Sequence, residues 1–171
     1  MNYIAVICDK AHDVTQNHTY QLLTKAKQLH AYQNSWVIAI CIGHFSVQER
    51  MLLHRFGADE ILLCGYSVSN RWEFATILEK IILSERCPLV LFSATDWGKT
   101  SAAYIAGRLH AGLIADCIDI NYERDQYIFK RAALNSSVIA DISCVNTTFQ
   151  MCTVKKNAFR EEEINTDYSL R

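Results

Sequence analysis

The chain has 171 residues, half of them apolar and a fifth of them charged, and its formal net charge is −1. This length allows one domain with a real core but not two ordinary ones, and the composition is typical of a soluble globular protein. A net charge so close to zero gives no electrostatic reason to expect nucleic acid or an anionic membrane as a partner. No apolar run is long enough for membrane insertion, so we expect none.

The start of the chain and its cysteines both favour a cytoplasmic protein. The first ten residues, MNYIAVICDK, lack the basic flank and long apolar core of a secretion signal. The seven cysteines lie inside or beside apolar runs, with no C-x-x-C pair and no zinc-ligand spacing among cysteines and histidines. We therefore predict buried free thiols that pack as small apolar side chains.

The first two thirds of the sequence alternate between apolar runs and helical patterns. The predicted strands are Tyr3–Cys8, Trp36–Ile42, Ile61–Cys64, Leu89–Phe92 and a fifth strand after the last helix. The predicted helices are Asn17–Ala31, one that starts at a Ser46–Glu49 capping box and ends at Gly57, Asn70–Leu83 and Lys99–Leu109. Five such units predict a parallel sheet with right-handed crossovers and helices on both faces, in the order 3-2-1-4-5.

Polar residues follow the strands on both sides of the expected switch point, between the first and fourth strands. Asp9 ends the first strand, and Ser93, Thr95 and Lys99 follow the fourth. Open α/β sheets bind their ligands at the carboxyl ends of strands. These four residues form our candidate strand-end ligand pocket.

The pattern changes after Asp116. Short strands without intervening helices are predicted at 118–122, 127–131, 138–145 and 150–154, with Arg124 and Asp125 at a hairpin tip. They predict an antiparallel C-terminal extension of the sheet. The last residues, REEEINTDYSLR, are charged and aperiodic, so we assign residues 1–160 to the domain and 161–171 to a tail or linker.

Three segments carry a family resemblance. The segments GKTSAAYIAGRLHAGLIADC, FKRAALNSSVIADIS and FQMCTVKKNAF resemble the N-terminal domain of electron transfer flavoprotein alpha subunits in order and spacing. The matching positions include Gly98, Lys99, Ala102, Ala106, Arg108, Leu109, Gly112, Leu113, Asp116, Phe129, Arg131, Ala140, Gln150, Met151, Thr153, Val154 and Phe159. With Gly57-Ala58-Asp59, the likeness spans nearly the whole chain.

The resemblance implies a Rossmann-like fold, of the adenine nucleotide alpha hydrolase type, and a role in electron transfer. It implies docking of a beta-like subunit, and flavin adenine dinucleotide (FAD) for the full assembly. The family's FAD domain is absent here, so we expect no cofactor bound by this chain alone. A separate FAD-carrying domain is a further implied partner, and no catalytic residue of an enzyme stands out.

The sequence departs from the family pattern at three turns. Ala132 replaces a proline, Asn135 and Ser136 replace a glycine pair, and Lys155-Lys156-Asn157 replaces Arg-Pro-Gly. These turns must take other shapes, because glycine and proline set backbone angles that the replacements meet less easily. We place the expected partner interface around them, and its candidate residues are Arg131, Asn135, Ser136, Lys155 and Phe159.

Three other interpretations remain open at this point. Residues 93–100, SATDWGKT, miss the phosphate-loop pattern G-x-x-x-x-G-K-[ST] only at the first position, but Trp97 is bulky and Asp96 would repel phosphate. A helix start capped by Asp96 or Ser93 is the alternative. The whole chain could also be a stand-alone adenine-nucleotide-binding module, or a fragment whose flavin domain is encoded next door.

Overall fold

A computed structural model describes residues 3–10, 17–33, 35–65, 68–134 and 137–164. The strands are β1 (Tyr3–Cys8), β2 (Trp36–Ile42), β3 (Glu60–Cys64), β4 (Leu89–Ser93), β5 (Gly112–Glu123), β6 (Gln126–Ala133), β7 (Val138–Ile142) and β8 (Gln150–Val154). The helices are α1 (Asn17–Gln33), α2 (Val47–Arg55), α3 (Arg71–Glu85) and α4 (Asp96–Leu109). No helix in the described ranges is long and apolar enough to cross a membrane.

All strands join one eight-stranded sheet in the order β3-β2-β1-β4-β8-β5-β6-β7. The α/β class, the parallel core and the 3-2-1-4 part of the predicted order are confirmed. The fifth place was predicted wrongly, because β8 lies between β4 and β5 and pairs parallel with both. Residues 151–154 are all buried, which is typical of a strand covered on both faces. The last strand therefore belongs to the parallel core and not to the antiparallel extension.

The antiparallel extension consists of the outer part of β5 with β6 and β7. Arg124 and Asp125 form the predicted hairpin tip, and both have positive φ values, 50° and 61°, as a tight primed turn requires. We call β6 and β7 together the ribbon. The helices pack mainly on the remaining strands. On the α1 side, Tyr127 and Phe129 of β6 still belong to the buried core, whereas Val138 and Ile139 of β7 are exposed.

Two helical layers cover the core of the sheet. One cluster of buried side chains joins the strands to α1 and α2, and the other joins them to α3 and α4. On α4, Ala102, Ile105 and Ala106 are buried, as the small-residue stripe predicted. A helix that carries alanine at the contact lies close to the strands, which brings its N-terminus against the end of β4.

The cysteines are free thiols, as predicted. Five are buried, whereas Cys64 and Cys144 are partly exposed. Burial raises the pKa of the Cys87 thiol to about 12. This thiol therefore stays protonated at neutral pH and acts as a packing group.

The predicted capping box at the start of α2 is confirmed. The Glu49 amide donates to Ser46 Oγ over 3.2 Å, and the Ser46 amide donates to Glu49 Oε2 over 2.7 Å. Lys10 at the end of β1 also contacts Glu49, with 2.6 Å between Nζ and Oε1. The hydrogen bond from Lys10, together with the one from the Ser46 amide, lowers the pKa of the Glu49 carboxyl to about 2.

We expect Glu49→Gln to destabilise the protein by about 1 kcal/mol at pH 7, because solvent screens this partly exposed pair. The folded pKa is lowered, so the carboxylate contributes its stability above pH 4.5 and loses it as the pH falls toward 2. Urea unfolding between pH 7 and pH 2.5 measures this change. Glu123→Gln, on the exposed end of β5, is the control. If the difference in free energy of unfolding between the native chain and Glu49→Gln does not narrow below pH 4.5, the assignment is wrong.

Candidate functional site

The switch point between β1 and β4 contains two of the four predicted pocket residues. Asp9 follows β1 and Ser93 ends β4, and these strands are neighbours in the sheet. Both side chains are buried. The Ser93 hydroxyl makes no hydrogen bond within the described part of the chain. A buried hydroxyl and a buried carboxyl group thus lie at the edge where a ligand of this fold class would bind.

Thr95 is used structurally, as the N-cap of α4. Its Oγ1 accepts from the Gly98 amide over 3.0 Å, and its carbonyl accepts from the Lys99 amide over 2.9 Å. The helix therefore begins at Asp96, earlier than the predicted Lys99, and the predicted caps Asp96 and Ser93 were both wrong. Thr95 is the N-cap because its backbone is extended and its hydroxyl therefore reaches the amide of Gly98, the third residue of the helix.

Lys99 contacts β5. Its Nζ lies 2.8 Å from Asp116 Oδ1, and the Asp116 amide donates to Thr153 Oγ1 over 3.0 Å. Asp116 has a φ of 58° and sits at an irregularity in the β5–β8 pairing. The sequence analysis did not assign Asp116 or Thr153 to a site. Both are polar residues inside apolar runs and both match the family pattern, but neither signal identifies the residue that each one contacts.

The β4–α4 turn does not fit a phosphate group or the diphosphate of FAD. A Cβ atom at Gly98 would collide with the carbonyl oxygen of Ser93, so the helix start packs directly on the strand end. The Gly98 and Lys99 amides are already engaged by Thr95. A phosphate cradle needs free amides at close approach, and these two amides are not available.

Two residues of the predicted partner interface flank Cys117 of β5 from opposite sides. Arg131 faces Cys117 across the β5–β6 ladder, and the Lys155 amide donates to the Cys117 carbonyl over 2.9 Å. Arg131 Nε has no hydrogen-bond partner among the described residues. Phe159 lies under Lys25, 5.1 Å from Nζ to the ring centroid. Asn135 and Ser136 lie outside the described residues.

The ribbon also carries apolar side chains that the sequence analysis did not select. The most exposed are Leu134 (76%), Val138 (47%), Ile139 (61%) and the adjoining Val145 (69%). Ile139 pairs with Ala132, and on the same face Lys130 contacts Asp141 over 3.0 Å. The sequence did contain a signal for this exposure, the adjacent apolar residues Val138 and Ile139. Adjacent residues of a strand point to opposite faces of the sheet, so an edge strand covered on one face cannot bury both. The described residues contain no cluster of histidine, cysteine, aspartate or glutamate that could hold a metal ion.

The fold and these surfaces define a Rossmann-like α/β domain with an antiparallel ribbon at one sheet edge. The family model for the electron transfer flavoprotein domain matches residues 4–169. The chain therefore belongs to the electron transfer flavoprotein family, as the resemblance implied.

Curated relatives agree with this assignment. An electron transfer flavoprotein subunit alpha of Clostridium acetobutylicum is 30% identical over 156 residues, which cover 88% of this chain and 46% of the relative. The electron transfer subunit beta of an acryloyl-CoA reductase of Anaerotignum propionicum is 26% identical over 151 residues, covering 86% and 40%. The LctC subunit of a lactate dehydrogenase (NAD(+),ferredoxin) of Acetobacterium woodii is 27% identical over 149 residues, covering 85% and 36%. The chain thus spans less than half the length of these relatives.

A pair of substitutions on α4 tests the packing of the β4–α4 turn. We expect Gly98→Ala to destabilise the protein by about 2–3 kcal/mol, because the new methyl group meets backbone and not a movable side chain. Gly107→Ala, in the last turn of the same helix, is the matched control: nothing lies within 4 Å of its Cβ position, and alanine in place of glycine should stabilise the helix by about 0.5 kcal/mol. Urea unfolding measures both, and equal effects would contradict the packing described here.

Proposed function

We propose that this chain is an electron transfer flavoprotein alpha-like domain that docks a beta-like subunit and helps to position flavin carried elsewhere. It would support electron transfer as a scaffold, without catalytic residues of its own. The observation that carries this proposal is the pair of exposed apolar side chains on the outer strand of the ribbon, Val138 (47%) and Ile139 (61%). The names of the relatives, which refer to electron transfer, give the chemistry of the assembly.

The ribbon has the properties of a docking edge. Among the residues that the structure describes, β7 pairs only with β6, and its other side presents backbone groups to solvent. An added strand would bond to them, while Ile139 and Leu134 would enter apolar pockets of the partner. Burying one such side chain contributes about 1.5–3 kcal/mol to binding. A single substitution of either residue should therefore weaken binding measurably.

Charge at the base of the ribbon indicates what the partner supplies. Arg131 and Lys155 adjoin the same residue, Cys117, and neither makes an ion pair with another described residue. We propose that carboxylates of the beta-like subunit meet these two cations. Charge pairs of this kind set orientation and association rate more than affinity.

FAD would belong to the assembly and be held by a partner or by a separate FAD-carrying domain. Binding by this chain alone is disfavoured, because the helix start that would receive a diphosphate is packed on Ser93. We propose the cytoplasm as the location, since a reducing compartment keeps seven cysteines as thiols.

Ile139→Lys should weaken association with a purified electron transfer flavoprotein beta subunit by at least about tenfold, because it places a charge in a desolvated apolar contact. Isothermal titration calorimetry measures the affinity of each variant. Leu63→Lys is the matched control, since Leu63 is 44% exposed on β3, the other edge strand of the sheet.

The control variant should bind like the native chain. An equal loss of affinity in both variants would show that a lysine at any exposed site disrupts binding. The ribbon would then have no special part in the interface. Failure of the native chain to bind beta subunits from several sources would count against docking itself.

The second candidate function is a stand-alone adenine-nucleotide-binding module. Ser93, buried with an unpartnered hydroxyl at the switch point, is the observation that favours it. Thermal unfolding with about 1 mM ATP, AMP or FAD separates the two functions. We expect no shift, whereas a ligand at 100 times its Kd would raise the melting temperature by about 5–10 °C. A shift of that size with one nucleotide would favour the second candidate.

A further inference from the structure

A groove of about 410 Å³ opens at the amino ends of β4 and β8, the end of the sheet away from the switch point. Its lining comes from the end of α3 and from the segments that lead into the two strands: Leu83, Arg86, Pro88, Thr148 and Phe149. Small-molecule sites in proteins have volumes of about 300–1,000 Å³. The groove is therefore large enough for a small ligand, and neither candidate function uses it.

The walls of the groove are fixed by backbone hydrogen bonds. The Gln150 amide donates to the Pro88 carbonyl over 2.8 Å, which joins the starts of the two strands. The Phe149 carbonyl accepts from the Gly112 amide over 3.0 Å. Arg86 is the C-cap of α3, with a φ of 51°, and its amide donates to a carbonyl of the last helical turn. A ligand would thus meet a preformed site and would not have to order its walls.

Most of the lining is apolar and is reached by water. Leu83 is 45% exposed, and Pro88 and Phe149 are only partly buried. Covering these three side chains with a hydrocarbon group removes apolar surface from water, which favours binding. Thr148 adds a hydroxyl group that can donate a hydrogen bond to the ligand.

Arg86 is the one charged residue of the lining. It makes no ion pair with another described residue. A guanidinium group binds a carboxylate through two parallel N–H···O bonds. The C-terminal end of α3 carries partial negative charge, so this single cation would not offset a ligand with several negative charges. A monoanion therefore fits the groove better than a nucleotide does.

We propose that this groove binds a small monocarboxylate with an apolar body. The carboxylate pairs with Arg86 and accepts a hydrogen bond from Thr148, and the hydrocarbon part covers Leu83, Pro88 and Phe149. This inference goes beyond the proposed function and does not depend on it, because the groove contains no residue of the ribbon or of the strand-end pocket.

Nuclear magnetic resonance titration of the full chain with hexanoate and hexanamide tests the site. The two probes share a hydrocarbon chain, and only hexanoate carries a charge. We expect hexanoate to bind at least about threefold more tightly, because it alone pairs with the guanidinium group. The largest amide shifts should be those of Arg86, Thr148 and Phe149.

Arg86→Gln should bind the two probes equally. Lys80→Gln removes a cation of the same helix outside the groove, so it is the matched control and should keep the native preference. Leu83→Ala should weaken both probes about threefold, because it removes apolar contact. The proposal would be overturned by equal affinity of the native chain for both probes, or by a preference for hexanoate that survives Arg86→Gln. The absence of saturable shifts with hexanoate, or shifts confined to other parts of the chain, would overturn it as well.

Discussion

The parallel pairing of β8 with both β4 and β5 is the constraint on which the other features depend. It fills the place beside β4 that the fifth strand would otherwise take, and it moves the β5–β6–β7 meander one position outward. It also brings Thr153 to the Asp116 amide and the Lys155 amide to the Cys117 carbonyl. The outward position of the ribbon and the place of Lys155 beside Cys117 both follow from this insertion.

Local interactions were predictable from the sequence and long-range ones were not. The Ser46–Glu49 capping box and the Arg124–Asp125 hairpin tip depend on a few consecutive residues, so the pattern determined them. The position of β8 depends on pairing with Leu89–Ser93, far away in the chain, and a short apolar run does not specify its neighbour. The order of the last strands was therefore the part predicted wrongly.

Burial of polar side chains explains why the candidate site was only partly visible. By residue type, Gln21 and Thr24 would be expected to face solvent on α1. Both are buried, because Asn157 and Glu162 of the segment after β8 bond to them. Lys99 looked like a pocket cation, but its partner Asp116 comes from a strand irregularity that no spacing rule predicts. Arg131 and Lys155 were selected because the resemblance directed attention to their turns, and their part in an interface stays a prediction.

Under the proposed function, the partner meets the sheet at its β7 edge. Amide hydrogen exchange of the chain, recorded alone and with a purified electron transfer flavoprotein beta subunit, tests this most directly. The account predicts that the amides of β7 (Val138–Ile142) that do not bond to β6 become protected on binding, while those of residues 151–154 are protected in both states. New protection at residues 93–95 without any change in β7 would contradict it.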